Sequence, residues 1–321
     1  MTAADKLLHY FTDGLNSSSN DSIGIEVETS FIEKYTRRPI TRETSQLILA
    51  SLCKGNWRCA TRRGDIISAI TNESGDIISY DLGRQNIELS AAPSDMENVI
   101  PEAKKCLAEL YAAAEQHGSV PFFGPVLPTD EDLLVIPDER DATWIRVDGR
   151  GPLNLLAKTS AVQFTIEVTP AKAIEILNRL GYFIYEFLGC TAAMNQGEYP
   201  SLYPQEINWR RYISESAAGY DPLRYGGPLQ FKDLEDYCIQ LSRHQVVTDN
   251  RLVPCTEESL RDISLFLRSI WWYFRLRRYG NRLCIEVRPN ARGQDQEMEH
   301  RLALIRHLVE GTCLSLIGRG K

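Results

Sequence analysis

Ile23-Gly-Ile-Glu26-Val-Glu28-Thr29 alternates apolar and acidic side chains. Residues two apart on a strand share a face, so Glu26 and Glu28 project together while Ile23, Ile25 and Val27 turn the other way into a core. Two distant stretches repeat the design: Asp81-Leu-Gly-Arg-Gln85-Asn-Ile-Glu88-Leu-Ser-Ala-Ala-Pro93 and Arg282-Leu-Cys-Ile-Glu286-Val-Arg288. Thr71-Asn-Glu-Ser-Gly75-Asp76 is a turn between Ile66-Ile67 and Ile77-Ile78, a hairpin that feeds Asp81 towards the same face. Strands separated by long helices could form a doubly wound parallel sheet. One-face-polar strands and a hairpin argue instead for an α+β fold, an antiparallel β-sheet with helices packed on its back and an open active-site face.

Apolar residues recurring at three and four predict helices at about 41–53, 95–117, 170–193, 231–243, 257–278 and 295–315. Thr41 is a plausible cap for the first, with Glu43 in its first turn. Asn16-Ser-Ser-Ser-Asn-Asp21 reads as a loop, and the Pro- and Gly-containing stretch 120–156 as a surface wrap. The candidate site residues come from both ends and the middle of the 321 residues, which favours a single domain over 1–321.

With 43% hydrophobic and 25% charged residues the chain has ordinary globular character. Its net charge of -7 argues against a general nucleic-acid surface, and no apolar run approaches a membrane span. The opening Met-Thr-Ala-Ala-Asp-Lys lacks a secretory layout, so the cytoplasm is the expected location. Eight cysteines are scattered without a Cys-x-x-Cys pair. Zinc is not expected, and Cys106, Cys190 and Cys284, among apolar neighbours, read as small buried thiols. Cys53 and Cys59, six apart, leave a redox pair open. The five histidines form no ligand-like spacing and none is assigned to catalysis.

Carboxylates roughly 4 Å apart repel by about 4 kcal/mol at an effective dielectric of about 20, so a fold that gathers several needs cations. Hard divalent ions such as Mg²⁺ take carboxylate oxygens and keep waters and substrate phosphates as their other ligands. Arg288 shares a strand face with Glu286, and its planar fork matches phosphate oxygens.

In their order along the chain these segments resemble the glutamate-cysteine ligase and related carboxylate-amine ligase family, whose sheet is built like the catalytic part of glutamine synthetase. Gly24-Ile-Glu26-Val-Glu28 is similar to the family's opening Gly-x-Glu-x-Glu strand, and Gly83-Arg-Gln85-Asn-Ile-Glu88-Leu-Ser90-Ala-Ala-Pro93 to its Gly-x-Gln-x-Glu-Leu-Ser-x-x-Pro segment. Lys158-Thr159-Ser-Ala-Val-Gln163-Phe-Thr165 resembles its basic-Thr-x-x-x-Gln strand. Asn208-Trp-Arg210-Arg211-Tyr, Asp221-Pro-Leu-Arg224-Tyr-Gly226 and the segment around Tyr237 resemble the stretch that closes over the amino-acid substrate. Trp271-Trp272-Tyr-Phe-Arg275-Leu with Cys284-Ile-Glu286-Val-Arg288 completes the match. Two departures bear on the amine: Pro289-Asn290-Ala291-Arg292 stands where many relatives carry an aspartate, and the family's Phe-Pro segment is absent.

The resemblance implies an ATP-dependent ligase with Mg²⁺ that forms an amide through an acyl phosphate. The implied substrates are L-glutamate and L-cysteine, or a different acid or amine. It assigns Glu26, Glu28, Glu88 and Glu286 to metal, with Asp81 as a further ligand, and gives Arg288 and Glu26 the catalytic roles. Gln163, Thr165 and Lys158 would contact nucleotide; Arg210, Arg224 and Arg275 would hold substrate carboxylates. A binding protein that kept the fold and lost the chemistry is a rival. So is a nucleic-acid module using Trp271, Trp272, Tyr273 and Phe274, although consecutive aromatics on a helix point in all directions and the net charge opposes it.

Overall fold

The computed structural model describes residues 1–17, 22–135, 139–188, 204–248 and 250–311. In chain order the strands are β1 (Ile23–Glu33), β2 (Arg58–Arg63), β3 (Ile66–Thr71), β4 (Ile77–Tyr80), β5 (Asn86–Ser94), β6 (Ser119–Phe122), β7 (Val162–Val168), β8 (Tyr225–Gly226), β9 (Val246–Thr248), β10 (Arg251–Val253), β11 (Trp271–Trp272), β12 (Phe274–Tyr279) and β13 (Arg282–Val287). Nine of them form one sheet in the order β12-β13-β7-β1-β5-β4-β3-β2, with β6 alongside β1. Every pairing within it is antiparallel, and the fold is α+β.

Register turns the alternation of the sequence into two faces. Ile25 lies opposite Ala91 on β5 and Phe164 on β7, and Ile285 lies opposite Ile166 and Leu276. These apolar rows are buried against helices on the back of the sheet. The helices there are α1 (Ala3–Thr12), α2 (Arg42–Leu52), α3 (Val99–Gln116), α6 (Pro170–Tyr182), α9 (Leu234–Leu241) and α11 (Glu297–Glu310), supplying among others Phe11, Leu49, Leu110, Leu177, Tyr237 and Ile305. Thr41 caps α2 by accepting from the Thr44 N–H, as the sequence suggests. Gly75, at φ 89°, makes the β3–β4 turn, a conformation that side chains with a Cβ resist.

The opposite face carries the polar rows. A second apolar cluster built from α4 (Glu139–Asp148), α5 (Arg150–Leu156) and α8 (Pro204–Glu215) stands over one end of it, with Val147, Leu153, Leu156 and Tyr212 buried inside. The face expected to be open is therefore walled at that end. The stretch 120–156 does not simply wrap the surface: it holds β6, α4 and α5.

The main correction concerns 257–278. A helix spans only Ile263–Arg268 (α10); the chain then runs as β11 and β12. In β12, Phe274 and Leu276 enter the core while Arg275 and Arg277 take the other face, an alternation masked in the sequence by the apolar run before it. Helix 170–193 divides into α6 and α7 (Ile184–Phe187). Its last residues, the end of 295–315, most of the 16–21 loop, Cys190 and Cys313 lie outside the described residues. Cys106, Cys238 and Cys284 are buried.

Candidate active site

Glu28 of β1 lies directly opposite Glu88 of β5, and one pleat along, Glu26 lies between Ser90 and Gln163. Across β7, Thr165 lies opposite Glu286, which in turn lies opposite Arg275. These pairings carry four acidic and basic strands onto one surface, beneath a cavity of about 520 Å³. Glu26, Glu28, Asp81, Glu88, Gln163, Arg275, Glu286 and Arg288 all line it. Asp81 is held at the turn into β5, where its Oδ2 accepts from Asn86 Nδ2 at 3.3 Å.

The cavity has an acidic side and a basic side. On the acidic side Glu28 accepts from the Ala161 N–H at 2.9 Å and from Gln163 Nε2 at 2.8 Å, while Glu88 accepts from Ser90 Oγ at 2.9 Å. Burial, then the charges of Asp81 and Glu88, push the Glu28 carboxyl well above its ordinary range. Burial, then Glu26 and Asp81, carry Glu88 up to about 8. Glu26 is also raised, by burial and then by Glu286. Like charges sharing a dry site resist ionising together, and a bound cation relieves that resistance.

On the basic side, Glu286 is surrounded by guanidinium groups. Arg275 Nη2 lies 2.5 Å from its Oε2, Arg277 Nε 3.4 Å from its Oε1 and Arg288 Nη1 3.5 Å from its Oε2. Burial pushes this carboxyl upward, but the three arginines outweigh it and hold it at about 2. Arg275 also donates to the backbone carbonyls of Leu267 and Ile270, so it is fixed in the wall. Gln163 joins the two sides, since its Oε1 accepts from Arg288 Nη1 at 2.5 Å while its Nε2 serves Glu28.

In the sequence Arg277 falls at the end of an expected helix, where the helix dipole accounts for it. On β12 it lines the cavity, 8% exposed, and its Nη1 has no hydrogen-bond partner among the described residues. The recoverable signal was the alternation Phe274-Arg-Leu-Arg.

Other expected residues lie apart. Thr165 lines a smaller adjoining cavity of about 150 Å³, which shares Glu26 and Tyr279 with the main one. Lys158 and Arg210 line neither cavity, and Arg210 is exposed on α8. Arg224 is 1% exposed and bonded to Ser269 and to the Gln245 carbonyl, with its guanidinium 4.6 Å from the Tyr220 ring. Tyr237 is buried in the core, where its hydroxyl accepts from the Leu276 N–H. Among the described residues no group of three or more His, Cys, Asp or Glu stands ready as a metal cage. The donors are nevertheless all oxygen, and their mutual repulsion suits a hard divalent ion.

No family model and no curated protein matches the chain. Among solved structures it is similar to a glutamate–cysteine ligase from Francisella tularensis in complex with AMP, with 14% identity over 53% of this chain and 34% of that one and a TM-score of 0.35. It is also similar to a bifunctional glutathione synthetase from Pasteurella multocida, with 10% identity, 96% and 41% coverage and a TM-score of 0.49. A third likeness is to the complex between the prokaryotic ubiquitin-like protein Pup and its ligase PafA, with 9% identity, 94% and 49% coverage and a TM-score of 0.42. The chain spans between about a third and a half of the length of these proteins. Likenesses this distant carry no argument about chemistry, which rests on the site itself.

Proposed function

We propose that this chain is an ATP-dependent ligase that joins a carboxylic acid to an amine. One observation carries the reading: a group of carboxylates with raised pKa faces a group of arginines across a single cavity, and one buried guanidinium there has a donor without a partner among the described residues. Such a surface suits a polyphosphate bound with a divalent cation better than it suits either charge alone.

Glu26, Glu28, Asp81 and Glu88 would hold Mg²⁺, which when bound neutralises phosphate oxygens and helps orient the terminal phosphate. Arg288 and Arg277 supply fork-shaped donors to the phosphoryl oxygens. Glu286 fixes the direction of both forks, and Gln163 sets the spacing between Glu28 and Arg288. The smaller cavity by Thr165, floored by Gly24, Ala91 and Pro93, suits the nucleotide base.

The acid's carboxylate oxygen forms a bond to the terminal phosphorus, and ADP leaves with the electron pair of the broken P–O bond. The amine then displaces phosphate from the acyl carbon. Holding reactants in line is most of what this chemistry demands of a protein. The sequence resemblance points to L-glutamate as the acid, to L-cysteine or a different amine as the acceptor, and to the cytoplasm; the departure at Pro289-Asn290-Ala291-Arg292 keeps the amine open.

The test is release of ADP and phosphate from Mg-ATP with the acid, L-glutamate first, and the amine each varied over a panel, followed by the mass of the product. ADP release that requires both acid and amine, with an amide mass, is expected. No ADP with any acid–amine pair overturns the reading.

A further inference from the structure

The end of the main cavity beneath α4 and α8 differs in kind from the charged end. Trp144, Trp209, Tyr225 and Trp271 line it, each only half-buried. Trp209 and Tyr225 stack in parallel, with centroids 5.0 Å apart and planes 5° apart. Trp271 lies 5.5 Å from Trp209 and 6.3 Å from Trp144. The hydroxyl of Tyr225 is bonded to the buried Glu206, so its polar tip is satisfied within the wall. Leu153 and Leu156 extend the apolar surface.

A structural duty accounts for part of this cluster. The Arg224 guanidinium lies 5.7 Å from the Trp271 ring. Trp144 and Trp209 also pack against the buried cluster of α4, α5 and α8, yet both border the cavity.

We infer that this aromatic end is the acceptor pocket, and that the amine it takes carries an aromatic ring on its side chain. The inference rests on the ligase reading and narrows its substrate. With the base in the smaller cavity, as proposed above, which meets the main one at Glu26 and Tyr279, the aromatic end is the part of the main cavity left for the second substrate. The amine must reach one face of the planar acyl carbon, and the aromatic end opens onto the charged end within the same cavity. Aromatic faces hold an incoming amine's side-chain ring by stacking, and only the neutral amine attacks. Its nitrogen bonds to the acyl carbon, the carbon–oxygen bond to phosphate breaks with its electron pair on phosphate, and phosphate takes the proton that nitrogen sheds. A thiol-bearing amine as small as cysteine would leave most of this aromatic wall uncovered.

The experiment compares kcat/KM for phenylalanine, tyramine, cysteine and glycine in the wild-type chain and in Trp144→Leu, with binding of each amine read by quenching of tryptophan fluorescence. Trp209→Leu is a second variant, and thermal melting checks that each one folds. Aromatic amines are expected to exceed cysteine by about tenfold or more, with the ratio falling in both folded variants while KM for ATP stays within about twofold. Equal or better use of cysteine or glycine overturns the inference and leaves the ligase reading intact. A rise in KM for ATP alone also overturns it, because the rings would then hold the base. Tight binding of aromatic amines without ADP formation removes the ligase reading and, with it, an acceptor role for the pocket. Neither binding nor ADP removes both.

Discussion

Glu26 and Glu286 look alike in the sequence, each a glutamate in an alternating strand, and the structure gives them opposite surroundings. Among the described residues Glu26 has no side-chain hydrogen bond and has burial and Glu286 raising its pKa, while Glu286 is the one carboxylate in contact with three guanidiniums. Replacement by glutamine should therefore separate them. Glu26→Gln removes a repelling charge, so its melting temperature in EDTA should equal or exceed that of the wild type while ADP formation falls by about 100-fold or more. Glu286→Gln leaves buried arginines uncompensated and should lose about 3 to 5 kcal/mol in denaturant unfolding. Equal stability of the two variants would show that the three arginines do not depend on Glu286. The strand face of each glutamate was legible from alternation alone. Arg288, two residues on from Glu286, was legible in the same way; Arg275 and Arg277 were not, because they reach Glu286 only through the register of β12 with β13.

Elements show the same divide. β1, the β3–β4 hairpin and α2 could be read because their local signals agree with where tertiary packing puts them. The 257–278 segment could not. Its aromatic run satisfies helical and strand periods alike, and what decides between them is the hairpin with β13 and the pairing with β8, distant in sequence. The β8–β11 pairing depends on a tight backbone at its end. Gly227 has φ 71°, and a Cβ there would lie 2.3 Å from Trp272 Cδ1, in a buried indole whose N–H bonds the Leu223 carbonyl. Gly227→Ala therefore meets both an unfavourable dihedral and a packed ring, and should cost about 1 to 3 kcal/mol. A melting curve superposed on the wild type would mean that this loop shifts freely, and would weaken the case that β8 and β11 form a rigid pocket wall. Arg292 shows how a motif departure can be structural: it is 1% exposed and bonded to Tyr111 and Asp295, tying α3 to the start of α11.

At the scale of the whole molecule, charge is concentrated where folding gains least from it. The back of the sheet is a continuous apolar core, whereas the front gathers carboxylates whose ionisation burial opposes. A ligand that neutralises that front binds the folded chain and not the unfolded one, so it must stabilise the fold by mass action. Mg²⁺ with a non-hydrolysable ATP analogue, at about 100 times its dissociation constant, should add about 2.7 kcal/mol and raise the melting temperature by several degrees. Mg²⁺ alone should raise it less, and the analogue in EDTA less again, since the acidic side would then face phosphate without a counter-ion. In Glu88→Gln the increment from Mg²⁺ should shrink, because the removed charge is one the ion would have balanced. An increment identical with and without Mg²⁺ would mean that the arginines alone bind the nucleotide, and would detach the carboxylates of β1 and β5 from the chemistry assigned to them.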